Sequence, residues 1–90
     1  MKKYVIERNI PKVHCMGPEE LKGAAATSND ALAKLSPRVQ WLHSYVTPDK
    51  TFCIYLAEDE GAVREHAELS GFPANVISEV TTTIDPSTAH

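Results

Sequence analysis

The stretch VQWLHSYVTPDKTFCIYLAED, residues 39–59, gathers the side chains best suited to chemistry. Trp41, His43 and Tyr45 alternate ahead of a Pro-Asp turn signal, and Cys53 and Tyr55 alternate after it. Imidazole changes charge near neutral pH, so His43 is a candidate metal ligand or general base. Tyr45 and Tyr55 offer hydrogen-bonding hydroxyls to a bound molecule. Cys53 is a candidate soft ligand, although a lone buried cysteine is first of all a small hydrophobe. On a regular strand Trp41, His43 and Tyr45 share one face. Such a row suits a pocket wall and, equally, a subunit interface, where aromatic residues are enriched.

Further candidates lie outside this stretch. His66 follows Ala62 by one helical turn and Val63 by three residues, so it faces inward. It is a core histidine held by one hydrogen bond, a metal ligand or a general base. Glu7 falls in the middle of the first strand, where a carboxylate needs a partner: a salt bridge with Arg64 or His66, or a metal ion. With Tyr45 and Tyr55, Arg64 completes a set of candidate ligand-binding residues. His14, Cys15 and Met16 are metal-capable neighbours, but adjacent residues on an extended chain point apart, and no CxxC or HxxxH spacing accompanies them. Cys15 reads equally as an exposed, labile thiol. No nucleophile elbow, phosphate-binding glycine loop or dinucleotide fingerprint occurs.

Whether His43 and Cys53 belong to one site depends on the turn between them. A tight turn at Pro48-Asp49 sets His43 opposite Ile54 and Cys53 opposite Ser44, on opposite faces. A three-residue loop sets Tyr45 opposite Cys53 and His43 opposite Tyr55, all on one side. One residue of slip exchanges the faces.

The elements that position these residues follow from periodicity. Residues 2–10 alternate as a strand, with Tyr4, Ile6 and Arg8 on one face and Val5, Glu7 and Asn9 on the other. Pro18-Glu19-Glu20 opens a helix with Leu21, Ala25, Ser28, Leu32 and Leu35 on one face, and Ser36-Pro37 ends it. The run Ala24-Ala25-Ala26 permits close approach to a sheet. Residues 39–46 and 51–57 are strands joined by the turn, 59–70 a second helix with Gly71 at its C-cap, and 75–84 a β-branched fourth strand. The order βαββαβ implies a ferredoxin-like α+β fold: a four-stranded antiparallel sheet with both helices on one face. Phe52, Ile54 and Leu56 alternate with Cys53, Tyr55 and Ala57, so the third strand is apolar on both faces. A homodimer through the sheet's second face is the simplest cover.

Ninety residues make one domain. A net charge of −3 with scattered lysines and arginines argues against nucleic acid and anionic membrane surfaces as partners. No apolar run is long enough to span a membrane. Only three apolar or aromatic residues separate Lys2-Lys3 from Glu7-Arg8, too few for a signal peptide, so a cytoplasmic address and free thiols are expected.

YVIERNIP, VQWLHSYVTPDKTFCIYLAED, REHAELSGFPAN and IDPSTA, which together run over nearly the whole chain, resemble a small bacterial family of nickel-binding proteins. The resemblance implies a ferredoxin-like fold, a dimer and nickel binding in at least some members, with no known reaction. The matching polar positions are Glu7, His43, Tyr45, Cys53, Tyr55, Arg64 and His66. The chain departs from the family in KVHCMG after Ile10-Pro11, and in Ser28-Asn29 where many members carry Ser-Cys.

Three functions are compatible with these residues. One is a metal-binding protein taking nickel or a similar divalent ion on Glu7, His43, Cys53 and His66. Another is a cofactor-independent monooxygenase-like or isomerase/cyclase-like enzyme, with His43 or His66 as base and Tyr45 or Tyr55 as donor. The third is a dimer that binds a small molecule without transforming it.

Overall fold

The computed structural model describes residues 1–10 and 16–89. Its elements run β1 (Lys2–Asn9), α1 (Pro18–Leu35), β2 (Val39–Val46), β3 (Lys50–Ala57), α2 (Glu60–Ser70) and β4 (Val76–Val80), with a 3-10 turn at Pro86–Ala89. The strands form one antiparallel sheet in the order β2-β3-β1-β4. This is the ferredoxin-like α+β arrangement that the sequence predicts. His14 and Cys15 lie outside the described residues, so the metal-capable loop and the labile thiol expected there are not placed.

β1 is a central strand with the expected alternation. Tyr4, Ile6 and Arg8 are buried beneath the helices, while Val5 and Glu7 face the other way and are half-buried. β4 stops at Val80, short of the predicted Ile84. Its last pair is Lys3 with Val80, and only Lys2 of β1 remains beyond that point. Thr81–Ile84 are β-branched but have almost no neighbouring strand left to pair with.

The helices are bounded as their sequences require. Gly17 precedes Pro18 at the start of α1, Glu19 and Glu20 sit at its positive end, and Lys34 sits at its negative end. In α2 the Asp59 carboxylate accepts a 2.8 Å hydrogen bond from the Ala62 amide. Gly71 closes α2 at φ 77°, donating its amide to the Ala67 carbonyl. α1 is anchored through its second half, where Ser28, Ala31 and Leu35 are buried. In its first half Leu21 is exposed and Ala24 and Ala25 are half-buried. There the alanines do not draw the helix down to the sheet; a cavity lies beneath them.

The β2–β3 turn is tight. The Thr47 amide donates to the Lys50 carbonyl at 2.9 Å around Pro48-Asp49. His43 pairs with Ile54, Ser44 with Cys53 and Tyr45 with Phe52. Beyond His43 the register shifts, because Leu42 is an extra residue and Trp41 pairs with Tyr55. This β-bulge breaks the alternation on which the row Trp41-His43-Tyr45 depends. Trp41 turns toward the helices, where its indole N–H donates to the Ser44 hydroxyl at 3.0 Å. His43 and Tyr45 face outward. The expectation that all three share a face is therefore corrected: a single inserted residue separates them.

Candidate functional site

The sheet divides the chemistry-bearing residues between two surfaces. The outer face, away from the helices, carries the cross-strand rows Tyr45–Phe52–Glu7–Val76 and His43–Ile54–Val5–Ser78. Phe52, Ile54, Leu56 and Val5 are half-buried there, and no described helix lies over them. His43 stands exposed at the rim on edge strand β2. Its Nε2 lies 3.1 Å from the Tyr45 hydroxyl, and the two rings meet edge to face with centroids 5.0 Å apart. Glu7 pairs with Lys50 at 3.4 Å. The expected partners Arg64 and His66 are out of reach because Glu7 takes the odd-numbered face of β1, opposite the helices. Glu7 lies two strands away from His43 and two residues along, so strand geometry sets them about 12 Å apart. One chain therefore cannot place both on one ion.

The inner surface holds the other candidates. Cys53 is buried and free, with its thiol 3.6 Å from the Thr51 hydroxyl. His66 is fully buried on α2, with Nε2 3.2 Å from Ser28 Oγ on α1 and its ring tilted against Tyr55 at 5.0 Å. Its Nδ1 has no hydrogen-bond partner among the described residues. Burial, and after it the positive charge of Arg8, push the His66 pKa below the usual imidazole value. Burial pushes the Tyr55 phenol up, so it stays neutral, and nearby Arg8 opposes this only in part.

Arg8 is a further candidate, one not singled out from the sequence. It is 2% exposed. Its guanidinium donates to the Pro73 carbonyl at 2.7 Å and to the Tyr55 hydroxyl at 3.4 Å, and lies 5.8 Å from the centre of the Phe72 ring. The signal was present: Arg8 continues the buried face of Tyr4 and Ile6 on a central strand. Together Arg8, Ser28, Cys53 and Tyr55 contribute to a cavity of about 460 Å³ between α1 and the sheet.

The predicted metal set thus splits. Glu7 and His43 are outside, Cys53 and His66 inside, and among the described residues no three His, Cys, Asp or Glu side chains converge on a common point. The predicted ligand-binding set splits as well. Tyr45 is outside and Tyr55 inside, while Arg64 is on the exposed side of α2, bonded to Glu60 at 3.0 Å. Among the described residues no helix is long and apolar enough to cross a membrane.

The fold and its two surfaces place the chain among small ferredoxin-like α+β proteins. A family model described as nickel responsive protein, SCO4226-like, matches residues 4–80, and the chain belongs to that family. The crystal structure of SCO4226 from Streptomyces coelicolor A3(2) is similar to it, with a TM-score of 0.77 at 15% identity over 91% of this chain and 99% of that one. No curated protein matches the chain.

Proposed function

We propose that the protein binds a divalent transition metal ion, nickel foremost, as a homodimer joined through the outer face of the sheet. The observation that carries this reading is the exposed His43 imidazole at the rim of an apolar face that no described helix covers. Membership of a family described as nickel responsive supports it. Among the described residues one chain offers too few converging donors for a metal site. A two-fold interface repeats every contact with the copies exchanged, so His43 of each copy gains donors from the other. Glu7, the carboxylate on the same face, supplies the second donor type, and Tyr45 orients the imidazole. Imidazole and carboxylate suit nickel, copper and zinc alike, so geometry and availability set the choice of metal. The address is the cytoplasm, where Cys53 remains a thiol.

The test uses protein purified without a histidine tag. Elemental mass spectrometry, nickel titration calorimetry and sedimentation velocity are applied to the wild type, His43→Ala and Ile54→Glu. The expected result is a dimer with a titratable nickel site, with metal lost in His43→Ala and both dimer and metal lost in Ile54→Glu. Undiminished nickel affinity in a folded His43→Ala variant overturns the site. A monomeric, nickel-loaded wild type overturns the shared interface.

A further inference from the structure

We propose that the cavity beneath the first half of α1 binds a small organic monocarboxylate with an apolar body, its carboxylate seated on Arg8. This site lies on the opposite face of the sheet from His43 and does not depend on the metal reading.

Charge carries the argument. A buried arginine is ordinarily neutralised by a carboxylate, because an unpaired charge away from water is costly. Among the described residues no carboxylate lies within ion-pair reach of Arg8, and residues 11–15, PKVHC, contain no acidic side chain. Both acceptors that Arg8 does reach, the Pro73 carbonyl and the Tyr55 hydroxyl, are uncharged. A guanidinium presents five N–H donors in a planar fork, so donors remain for a ligand, and that fork fits a carboxylate edge.

Size and lining define the rest of the ligand. About 460 Å³ lies in the range of small-molecule sites and far exceeds the space of one water. Leu21, Ala24, Ala25, Trp41, Val46 and Phe72 make the walls apolar. Arg8 is the one charged residue among the described lining residues. A single positive charge matches a monoanion, whereas a phosphate dianion would need a second cation. The same charge repels metal ions. A fused aromatic acid and a medium-chain fatty acid share the required chemistry.

The experiment reports through the chain's single tryptophan, Trp41, in the cavity wall. Decanoate is titrated by Trp41 emission, and 2-naphthoate and 2-naphthylmethanol by calorimetry, all in EDTA so that the result is independent of metal. At least one acid is expected to saturate one site per chain, and which acid does so identifies the body type. The naphthyl alcohol is expected to bind about tenfold or more weaker than its acid, since it forfeits the charge-assisted bonds. Arg8→Gln should remove that preference, and Ala25→Phe should abolish binding by filling the cavity with Arg8 intact. Equal affinity for acid and alcohol overturns the proposal, as does full acid affinity in folded Arg8→Gln or in Ala25→Phe. Failure of every acid to saturate at millimolar concentration overturns it too. Should Arg8→Gln not fold, the Ala25→Phe variant and the acid–alcohol comparison decide.

Discussion

The Ser28–His66 hydrogen bond joins α1 to α2 in the interior, and its removal from one side should cost more than its removal from both. Ser28→Ala takes away the side-chain hydrogen bond of a fully buried imidazole whose Nδ1 has no partner among the described residues, and leaves it only the Ser28 backbone. A buried polar group stripped of its partner costs about 1–3 kcal/mol, whereas replacing both partners by apolar groups can be nearly neutral. At roughly 4–8 °C per kcal/mol for a domain of this size, Ser28→Ala should lower the melting midpoint by several degrees or more. His66→Leu removes the imidazole but leaves the Ser28 hydroxyl free to rotate toward its own helix carbonyls, an outlet open to serine on a helix. In the double variant nothing polar is stranded.

The assay is a double-mutant cycle by urea denaturation, followed by far-UV circular dichroism at one protein concentration. The double variant should be more stable than the sum of the single losses implies, by about 0.5 kcal/mol or more. If the two losses simply add to within about 0.3–0.5 kcal/mol, the bond does not couple the helices and the reasoning fails.

Three shorter predictions follow. The folded chain disfavours charged His66, whereas an unfolded chain protonates it near pH 6.5, so the unfolded state binds more protons below that value. Stability should therefore hold above pH 6.5 and fall below it by up to about 1.4 kcal/mol per pH unit; equal loss between pH 7.5 and 5.5 in wild type and His66→Leu would refute this. Asp59→Ala should cost about 0.5–2 kcal/mol by uncapping α2, measurable by urea melts, while an unchanged midpoint removes the cap from the account. Deletion of Leu42 should be tolerated, because Trp41 and His43 already face consecutive residues of β3, Tyr55 and Ile54. Retained buried-indole emission and a cooperative melt are expected; a red-shifted, non-cooperative product would show that the bulge is indispensable.

What was legible in the sequence was what depends on nearest neighbours along the chain. The alternation of Tyr4, Ile6 and Arg8, the Asp59 and Gly71 boundaries of α2 and the Pro48-Asp49 turn each carry a local physical signature, and the structure reproduces them. What failed depended on distant partners. Thr81–Ile84 have strand propensity but almost no strand left beside them. Leu42 has nothing unusual about it as a residue; only the pairing of β2 with β3 reveals it as surplus. Ala24 and Ala25 permit either close packing or a void, and the anchoring of α1 through Ser28, Ala31 and Leu35 leaves the void.

These misses share a consequence for function. With a regular β2, Trp41 would join His43 and Tyr45 on one face. The bulge instead sends the indole to the wall of the inner cavity and leaves His43 and Tyr45 outside. The outer face is thereby supplied with an imidazole, a phenol and the Glu7 carboxylate, all lone-pair donors suited to a cation. The inner face receives an apolar wall and one buried guanidinium, suited to an anion. Glu7 and Arg8 are neighbours in β1, yet strand alternation puts their opposite charges on opposite sides of the sheet. A ligand on one face therefore gains nothing from the charged group that serves the other. The two proposed sites can be abolished separately, by His43→Ala on one side and Ala25→Phe on the other. A single variant set carrying both substitutions, assayed for nickel and for naphthoate, separates them. Loss of both activities from either substitution alone would mean that one surface, and not two, does the binding.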